Sequence, residues 1–280
     1  MRVLSPCKIN LHLGILGKRN DGYHNLESFF LEVPWYDVID IESNDSGLIV
    51  MKTVGIDLGN EEDNICFKAA RLLKNIYNVE KGCTISLKKN IPVGAGLGGG
   101  SSNAASTLKS LISLWNIDIE KSETIDLAKR LGADVPFFMM GGLCHVKGIG
   151  DILTRVENKI FDYYLLIIYD NIHVSTPWAY KNLKKELTIE NKCTKFDTVV
   201  LRGLDIDVLN EFRNDFEETV FESYPELANI KKDLYDNGAC FSLMSGSGSS
   251  VFGIFKDSRN AIEAMRKADE RGAVTKLVKI

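Results

Sequence analysis

Residues 92–105 run Pro-Val-Gly-Ala-Gly-Leu-Gly-Gly-Gly-Ser-Ser-Asn-Ala-Ala. Five of them, Gly94, Gly96, Gly98, Gly99 and Gly100, are glycines that lead into Ser101, Ser102 and a helix-forming run. Without a Cβ, such a loop can take positive φ and bring its backbone N–H groups close to a ligand. The helix behind it leaves its first N–H groups without intrahelical acceptors and carries partial positive charge at that end. The chemistry served is anion binding, and for a cradle of this length the anion is a polyphosphate. A nucleotide is the expected ligand.

The flanks decide what kind of loop this is. Cys83-Thr84-Ile85-Ser86-Leu87-Lys88 alternates apolar and polar, as a half-buried strand does, and Ala104, Leu108, Leu111 and Trp115 recur at helical spacing. Ser101 or Ser102 is placed to cap that helix. Gly94, Gly96 and Gly99 satisfy the dinucleotide pattern G-x-G-x-x-G, but that pattern also wants a second strand ending in an acid about 20 residues on. Here that distance falls in the helix and the polar stretch from Asn116 to Glu120. A Walker A loop has Gly100 where its lysine belongs. A phosphoryl-transfer loop without its own lysine needs Mg²⁺ and a lysine distant in sequence to neutralise the phosphates.

The elements that must carry this loop follow from the pattern of the rest. Strands are expected at Ile9–Leu16, Phe29–Val33, Val38–Ile41 and Thr84–Leu87, and helices at Asn64–Ile76, Ser102–Trp115 and Ser122–Leu131, the last closed by Gly132 in a left-handed cap. A buried strand, Phe161–Tyr169, opens a second unit that continues with polar helical segments over Val199–Asn237. Next come a strand-loop-strand over Phe241–Phe255, a helix over Asn260–Asp269 and a strand over Thr275–Ile280. The architecture expected is α+β, two lobes of residues 1–157 and 158–280 around a cleft. The loop Ser245-Gly246-Ser247-Gly248-Ser249-Ser250 is either a hairpin turn, a lining of the site, or both.

Composition narrows the function classes. The chain has 280 residues, 45% of them hydrophobic and 26% charged, which suits a globular protein with a substantial core. Its net charge of −4 and pI near 5.7 give no basic footprint for nucleic acid. The lysines between Lys181 and Lys195 are interspersed with Glu186 and Glu190, the pattern of a solvated face. Six scattered cysteines without a C-x-x-C pair and only four histidines argue against a zinc site. No segment approaches the ~20 apolar residues of a membrane span, and the N-terminus has no signal-peptide core. A reduced, cytoplasmic enzyme without membrane or nucleic-acid partners is expected; oligomeric state is left open.

Three separated segments, Ser5-Pro6-Cys7-Lys8-Ile9-Asn10-Leu11, Pro92 to Ala105, and Ser245-Gly246-Ser247-Gly248, resemble the three motifs of the GHMP small-molecule kinases. Two more, Gly17 to Leu26 and Leu131-Gly132-Ala133-Asp134-Val135-Pro136-Phe137-Phe138, are similar to the branch whose acceptor is a cytidine-diphosphate-linked polyol. The resemblance runs in order from Ser5 to about Phe255. It implies a two-lobed fold, with an N-terminal lobe like domain 2 of ribosomal protein S5 and a ferredoxin-like C-terminal lobe. It further implies ATP, with Mg²⁺, over Pro92, Val93, Gly94, Ala95, Gly96, Leu97, Gly98, Gly99, Gly100, Ser101 and Ser102, and Asn64 and Lys89 near the nucleoside. Lys8 and Asp134 match the catalytic pair. Tyr23, His24, Phe30 and Tyr180 match positions that hold the cytidine ring, and Asn10 lies near the polyol. Cys7 replaces the usual alanine, and Tyr180 stands where phenylalanine is frequent, keeping a stacking face but adding a hydroxyl.

Each residue has a chemical role and a plainer one. Asp134, beside the acceptor hydroxyl, can take its proton as the new bond forms. Between Gly132 and Pro136 it can equally be turn or N-cap chemistry. Lys8, among apolar neighbours, either pairs with a carboxylate such as Asp134 and neutralises the transferred phosphoryl, or snorkels from a strand edge. Phe30 is core or ligand contact. Tyr23, after the Asp21-Gly22 turn, is expected at an exposed site, and His24 is expected to recognise the cytosine edge by hydrogen bonding. Competing functions are a GHMP kinase for mevalonate or a sugar, a non-catalytic nucleotide sensor, and a nicotinamide oxidoreductase resting on the glycine pattern alone.

Overall fold

The computed structural model describes residues 1–160, 162–184 and 196–280. Phe161, Cys193 and the part of the lysine-rich run from 185 to 195 lie outside the described residues. The chain folds as two compact units interleaved in sequence: Met1–Cys7, Pro34–Val93 and Gly98–Gly141 form one, and Lys8–Val33, Gly94–Leu97 and Gly142–Ile280 the other. Two long paired strands, β1 (Arg2–Lys18) and β2 (His24–Asn44), contribute to both.

In the first unit β2 pairs antiparallel with β4 (Gly82–Lys88), and β4 pairs parallel with β3 (Ile49–Val54). Helix α1 (Ile65–Tyr77) is capped by Asn64, whose side chain accepts from the Cys66 N–H at 2.9 Å. It packs on α2 (Gly99–Leu114), which in turn packs on α3 (Lys121–Leu131) and α4 (Val135–Met140). Ser102 to Leu108 of α2 are all buried, so this helix is the unit's core and not a surface ornament.

In the second unit the first half of β2 pairs with β5 (Leu143–Lys147), and β5 with β6 (Ile152–Arg155). The rest contains β7 (Tyr164–Tyr169), α5 (Thr176–Lys181), α6 (Asp197–Arg202), α7 (Glu217–Ser223), α8 (Pro225–Asp236), β8 (Phe241–Met244), β9 (Val251–Phe255), α9 (Ser258–Glu270) and β10 (Val274–Lys279). The sheet order β10-β7-β9-β8, all antiparallel, with α8 and α9 packed on the sheet, is the split β-α-β ferredoxin-like arrangement.

Three local expectations are corrected. Helix α2 begins at Gly99 and not Ser102, with no side-chain cap: Gly98 at φ 67° turns the chain into it, so neither serine caps. Gly132 is extended (φ 164°, ψ 157°) and not left-handed, and its N–H still closes α3 on the Ala128 carbonyl. The strands expected at Phe29–Val33 and Val38–Ile41 are one strand, because Pro34 falls between the β5 ladder (Ser28–Leu31) and the β4 ladder (Val38–Asn44) and breaks neither. The polar helical segments expected over Val199–Asn237 are present, as α6, the 3₁₀ segment Ile206–Glu211, α7 and α8. Strands β3, β5 and β6 and helices α4 and α5 were not expected from local pattern.

Candidate active site

Within the second unit, three segments far apart in sequence meet. Lys8 on β1 is 4% exposed, and its ammonium donates to Asn10 Oδ1 at 2.5 Å and lies 4.4 Å from the centre of the Phe30 ring. A buried ammonium needs such partners, an acceptor and an aromatic face. The snorkelling alternative is thereby removed. Asn10 donates to Ser28 Oγ at 3.0 Å, and Ser28 in turn donates to the His12 carbonyl, so the Asn10 side chain is held from both ends. The Lys8 N–H bonds the Leu97 carbonyl at 2.9 Å, tying β1 to the middle of the glycine loop.

Ser245 closes the triangle. Its hydroxyl accepts from the Asn10 N–H at 3.2 Å and donates to the Gly96 carbonyl at 2.9 Å. The Ser250 N–H bonds the Ala95 carbonyl at 3.2 Å. A Cβ on Gly96 would stand 2.1 Å from the Ser245 carbonyl oxygen, and Gly96 is at φ 77°, so only glycine fits. Asn214 braces the hairpin by donating to the Met244 and Gly246 carbonyls, both at 2.7 Å, while Glu217 accepts from the Met244 N–H at 2.9 Å. Residues 245–250 are therefore both a β8–β9 hairpin turn and a wall of the glycine loop.

In the first unit, the end of the loop opens α2. Gly98 turns, the Ser102 N–H is the first to find an intrahelical acceptor, in the Gly98 carbonyl, and the N–H groups of Gly99, Gly100 and Ser101 precede it. Gly100, at the Walker lysine's position, has open space where a Cβ would be. Lys89, 6% exposed at its side chain, is not extended into solvent; it pairs with Asp37 and donates to Asn103 Oδ1 at 3.1 Å. Asn64 also has a structural task, the α1 cap. Asp134 stands at the N-cap position of α4, half-buried, yet its carboxylate makes no capping bond to that helix.

The aromatic residues also sit in the second unit. His24 stacks on Tyr180 at 4.8 Å and 21°, and Tyr180 meets Phe216 edge-on at 4.9 Å. Burial, with Lys18 adding, holds the His24 imidazole below its ordinary pKa, so it is neutral at physiological pH. Tyr23 is 61% exposed, as a ring offered to a ligand would be, whereas Phe30 is buried under Lys8 and is core first.

Two family models match the chain, the GHMP kinases N terminal domain over residues 64–142 and the GHMP kinases C terminal domain over residues 203–274. A protein of Chlorobium phaeobacteroides (strain DSM 266 / SMG 266 / 2430) named 4-diphosphocytidyl-2-C-methyl-D-erythritol kinase is 42% identical over 97% of this chain and 92% of its own. The chain belongs to the GHMP kinases. A protein of the same name from Chlorobaculum tepidum is 39% identical over 96% of the chain and 94% of its own. A crystal structure of 4-(cytidine 5'-diphospho)-2C-methyl-D-erythritol kinase superposes at TM-score 0.82 with 30% identity, covering both chains completely. A mevalonate kinase from Methanococcus jannaschii, at TM-score 0.71 and 16% identity over all of this chain and 98% of its own, shares the fold.

As a GHMP kinase the chain is an ATP-dependent phosphotransferase acting on a small molecule. The kinase's structure brings Lys8, Asn10, Phe30, Gly96 and Ser245 together in one unit, and Lys89, Gly99, Ser102 and Asn103 in the other. Sequence reasoning missed Asp37, Asn103, Ser28 and Asn214. Asp37 alone carried a signal, as one of two acids, with Asp40, within the otherwise apolar strand segment Trp35–Ile41. No local pattern announces the others.

Proposed function

We propose that this kinase transfers the γ-phosphoryl group of ATP to the 2-hydroxyl of 4-diphosphocytidyl-2-C-methyl-D-erythritol, a step toward isoprenoid precursors. The observation that carries it is the agreement in name of relatives about 40% identical over nearly the whole chain. The site's chemistry supports it. Asp134 takes the proton of the acceptor hydroxyl as its oxygen bonds the γ-phosphorus and the bond to the ADP oxygen breaks. Lys8 supplies positive charge to the phosphoryl group in transit, and Phe30 and Asn10 hold its ammonium in place. The N–H groups of Gly99, Gly100 and Ser101 cradle the triphosphate, with Asn64 and Lys89 toward the nucleoside.

Mg²⁺ enters this reading as part of the substrate, MgATP. No group of three or more His, Cys, Asp or Glu among the described residues is arranged to hold a metal. In phosphotransferases Mg²⁺ is usually carried by substrate phosphate oxygens and water with one or two carboxylates. On the acceptor side Tyr23 and Tyr180 give the cytosine ring faces to stack on, and neutral His24 reads its edge. We place the boundary between the two lobes near Asn158, which the matched segments 64–142 and 203–274 flank. We also place the kinase in the cytoplasm. Cys66, Cys83 and Cys240, which form no disulfide, support this, and burial pushes Cys66, Cys83 and Cys144 up to about 11, so that these three stay protonated. No helix among the described residues is long and apolar enough to cross a membrane.

A coupled ADP-release assay tests the reading. Turnover is expected with diphosphocytidyl-methylerythritol, feeble with the uridine analogue, and absent with mevalonate, galactose or homoserine. Stacking is worth ~1–3 kcal/mol for any base, so selection of cytosine must come from hydrogen bonds to its edge. Efficient phosphorylation of mevalonate or a free sugar would overturn it.

A further inference from the structure

A closed polar cluster lies behind the first turn of α2 in the first unit. Asp37 is completely buried. Its Oδ1 accepts from the N–H groups of Asn90 and Ile91, at 2.8 and 2.9 Å. Its Oδ2 accepts from Asn103 Nδ2 at 2.9 Å and from the Lys89 ammonium. Asn103 accepts from Lys89 in return, at 3.1 Å, and donates to Ser5 Oγ at 3.0 Å, which shares a hydrogen bond of 2.7 Å with Ser102 Oγ. A methyl group added to Gly99 would lie 3.1 Å from Lys89 Nζ, so the ammonium is pressed against the first residue of the helix.

Each part of this cluster bears on the glycine loop. Asn90 and Ile91 are the residues that feed the chain into it at Pro92, and Ser102 and Asn103 are on the turn of α2 that receives it. Four donors saturate one carboxylate, and a fully satisfied buried network of this kind rigidifies what it joins. Desolvating a lysine and an aspartate is costly, and well-packed apolar residues of the same volume are often at least as stable. Stability alone is thus a poor reason for the pair. Two of the three Lys89 protons are engaged, by Asp37 and Asn103.

We propose that Asp37 is a positioning residue for the nucleotide: it anchors Lys89 and the strand end 89–91 against the first turn of α2, so that both edges of the glycine loop are fixed before ATP arrives. This rests on the glycine loop being the ATP site. Asp37 does not touch ATP. It acts through Lys89 and the loop backbone.

The test pairs Asp37→Asn, which keeps the shape and removes the charge, with the double variant Asp37→Asn/Lys89→Met, which removes both charges and leaves neither ion stranded. ATP affinity by calorimetry is expected to fall about tenfold or more in each, the loss of roughly one charge-assisted hydrogen bond. The acceptor KM should stay within about twofold, and the double variant should be no weaker than Lys89→Met alone, because the two residues work as a unit. If Asp37→Asn unfolds, the double variant carries the test. Unchanged ATP affinity in a folded double variant, or an acceptor KM that rises in step with the ATP loss, would overturn the role of Asp37. Gly98→Val is measured alongside: ATP binding that survives it sinks the loop site itself, whereas its loss beside a normal double variant sinks only Asp37.

Discussion

Lys8 and Asp134 differ in how the fold treats them. Lys8 is surrounded: its charge is buried, bonded to Asn10 and set over Phe30. Asp134 is half-buried at a helix start that its carboxylate does not cap. In the proposed reaction the general base must reach substrate, and the phosphate-neutralising lysine must be kept out of bulk water to act strongly. Asp134→Asn is expected to lower kcat by about 10²–10⁴-fold while leaving ATP affinity within a few-fold. Lys8→Met, which retains the stem over Phe30, should do likewise. Near-normal turnover in either, measured at saturating substrates, removes that residue from the chemistry. His24 supplies a pH test. Its imidazole titrates below the ordinary value of 6.5, chiefly through burial and then through Lys18. A histidine with a depressed pKa is neutral above the unfolded value, and its protonation opposes the folded, ring-stacked state only as pH falls below it. Acceptor KM is therefore expected to be flat above pH 6.5 and to climb in more acidic solution, with the ATP KM steady. His24→Asn should abolish that climb; a climb of equal size in the variant assigns it to another group.

The elements around the loop show which glycines are required and which are spare. Gly96 is wedged under the Ser245 carbonyl at positive φ, and Gly98 turns the chain into α2 at φ 67°. Gly100 faces open space within a helix. An L-residue in the left-handed region costs roughly 1–2 kcal/mol before any clash. Gly96→Ala should thus lower the melting temperature and loosen the link between β1, the loop and the β8–β9 hairpin. Gly98→Val should block ATP binding in a chain that still folds. Gly100→Ala, by contrast, should melt higher, by ~0.5–1 kcal/mol, because alanine loses less entropy in a helix. Calorimetry and thermal melts on the three variants decide it. Equal melting temperatures for all three would mean the loop does not hold the arrangement described.

At the scale of the whole chain, what was legible was what repeats or clusters within a short window. The glycine run was placed between a strand and a helix, β4 and α2, and Asn64 and the apolar spacing after it placed α1 to within a residue. The strand-turn-strand of residues 241–255 and the final helix and strand were legible for the same reason. Other features belonged to the tertiary structure. Serines at 101 and 102 look like caps by type, but Gly98 starts the helix and Ser102 turns inward to Ser5, 97 positions away. Pro34 looks like a strand break, but it falls between two ladders whose partners, β4 and β5, lie far along the chain. Nothing local to Lys89 tells that its ammonium is paired with Asp37, 52 residues earlier. Local spacing determined which chemical groups the chain owns, because φ preference, capping and hydrophobic period are decided among near neighbours. Which of those groups are engaged, neutralised or left for substrate was decided only on folding, because burial and pairing depend on residues that sequence distance conceals.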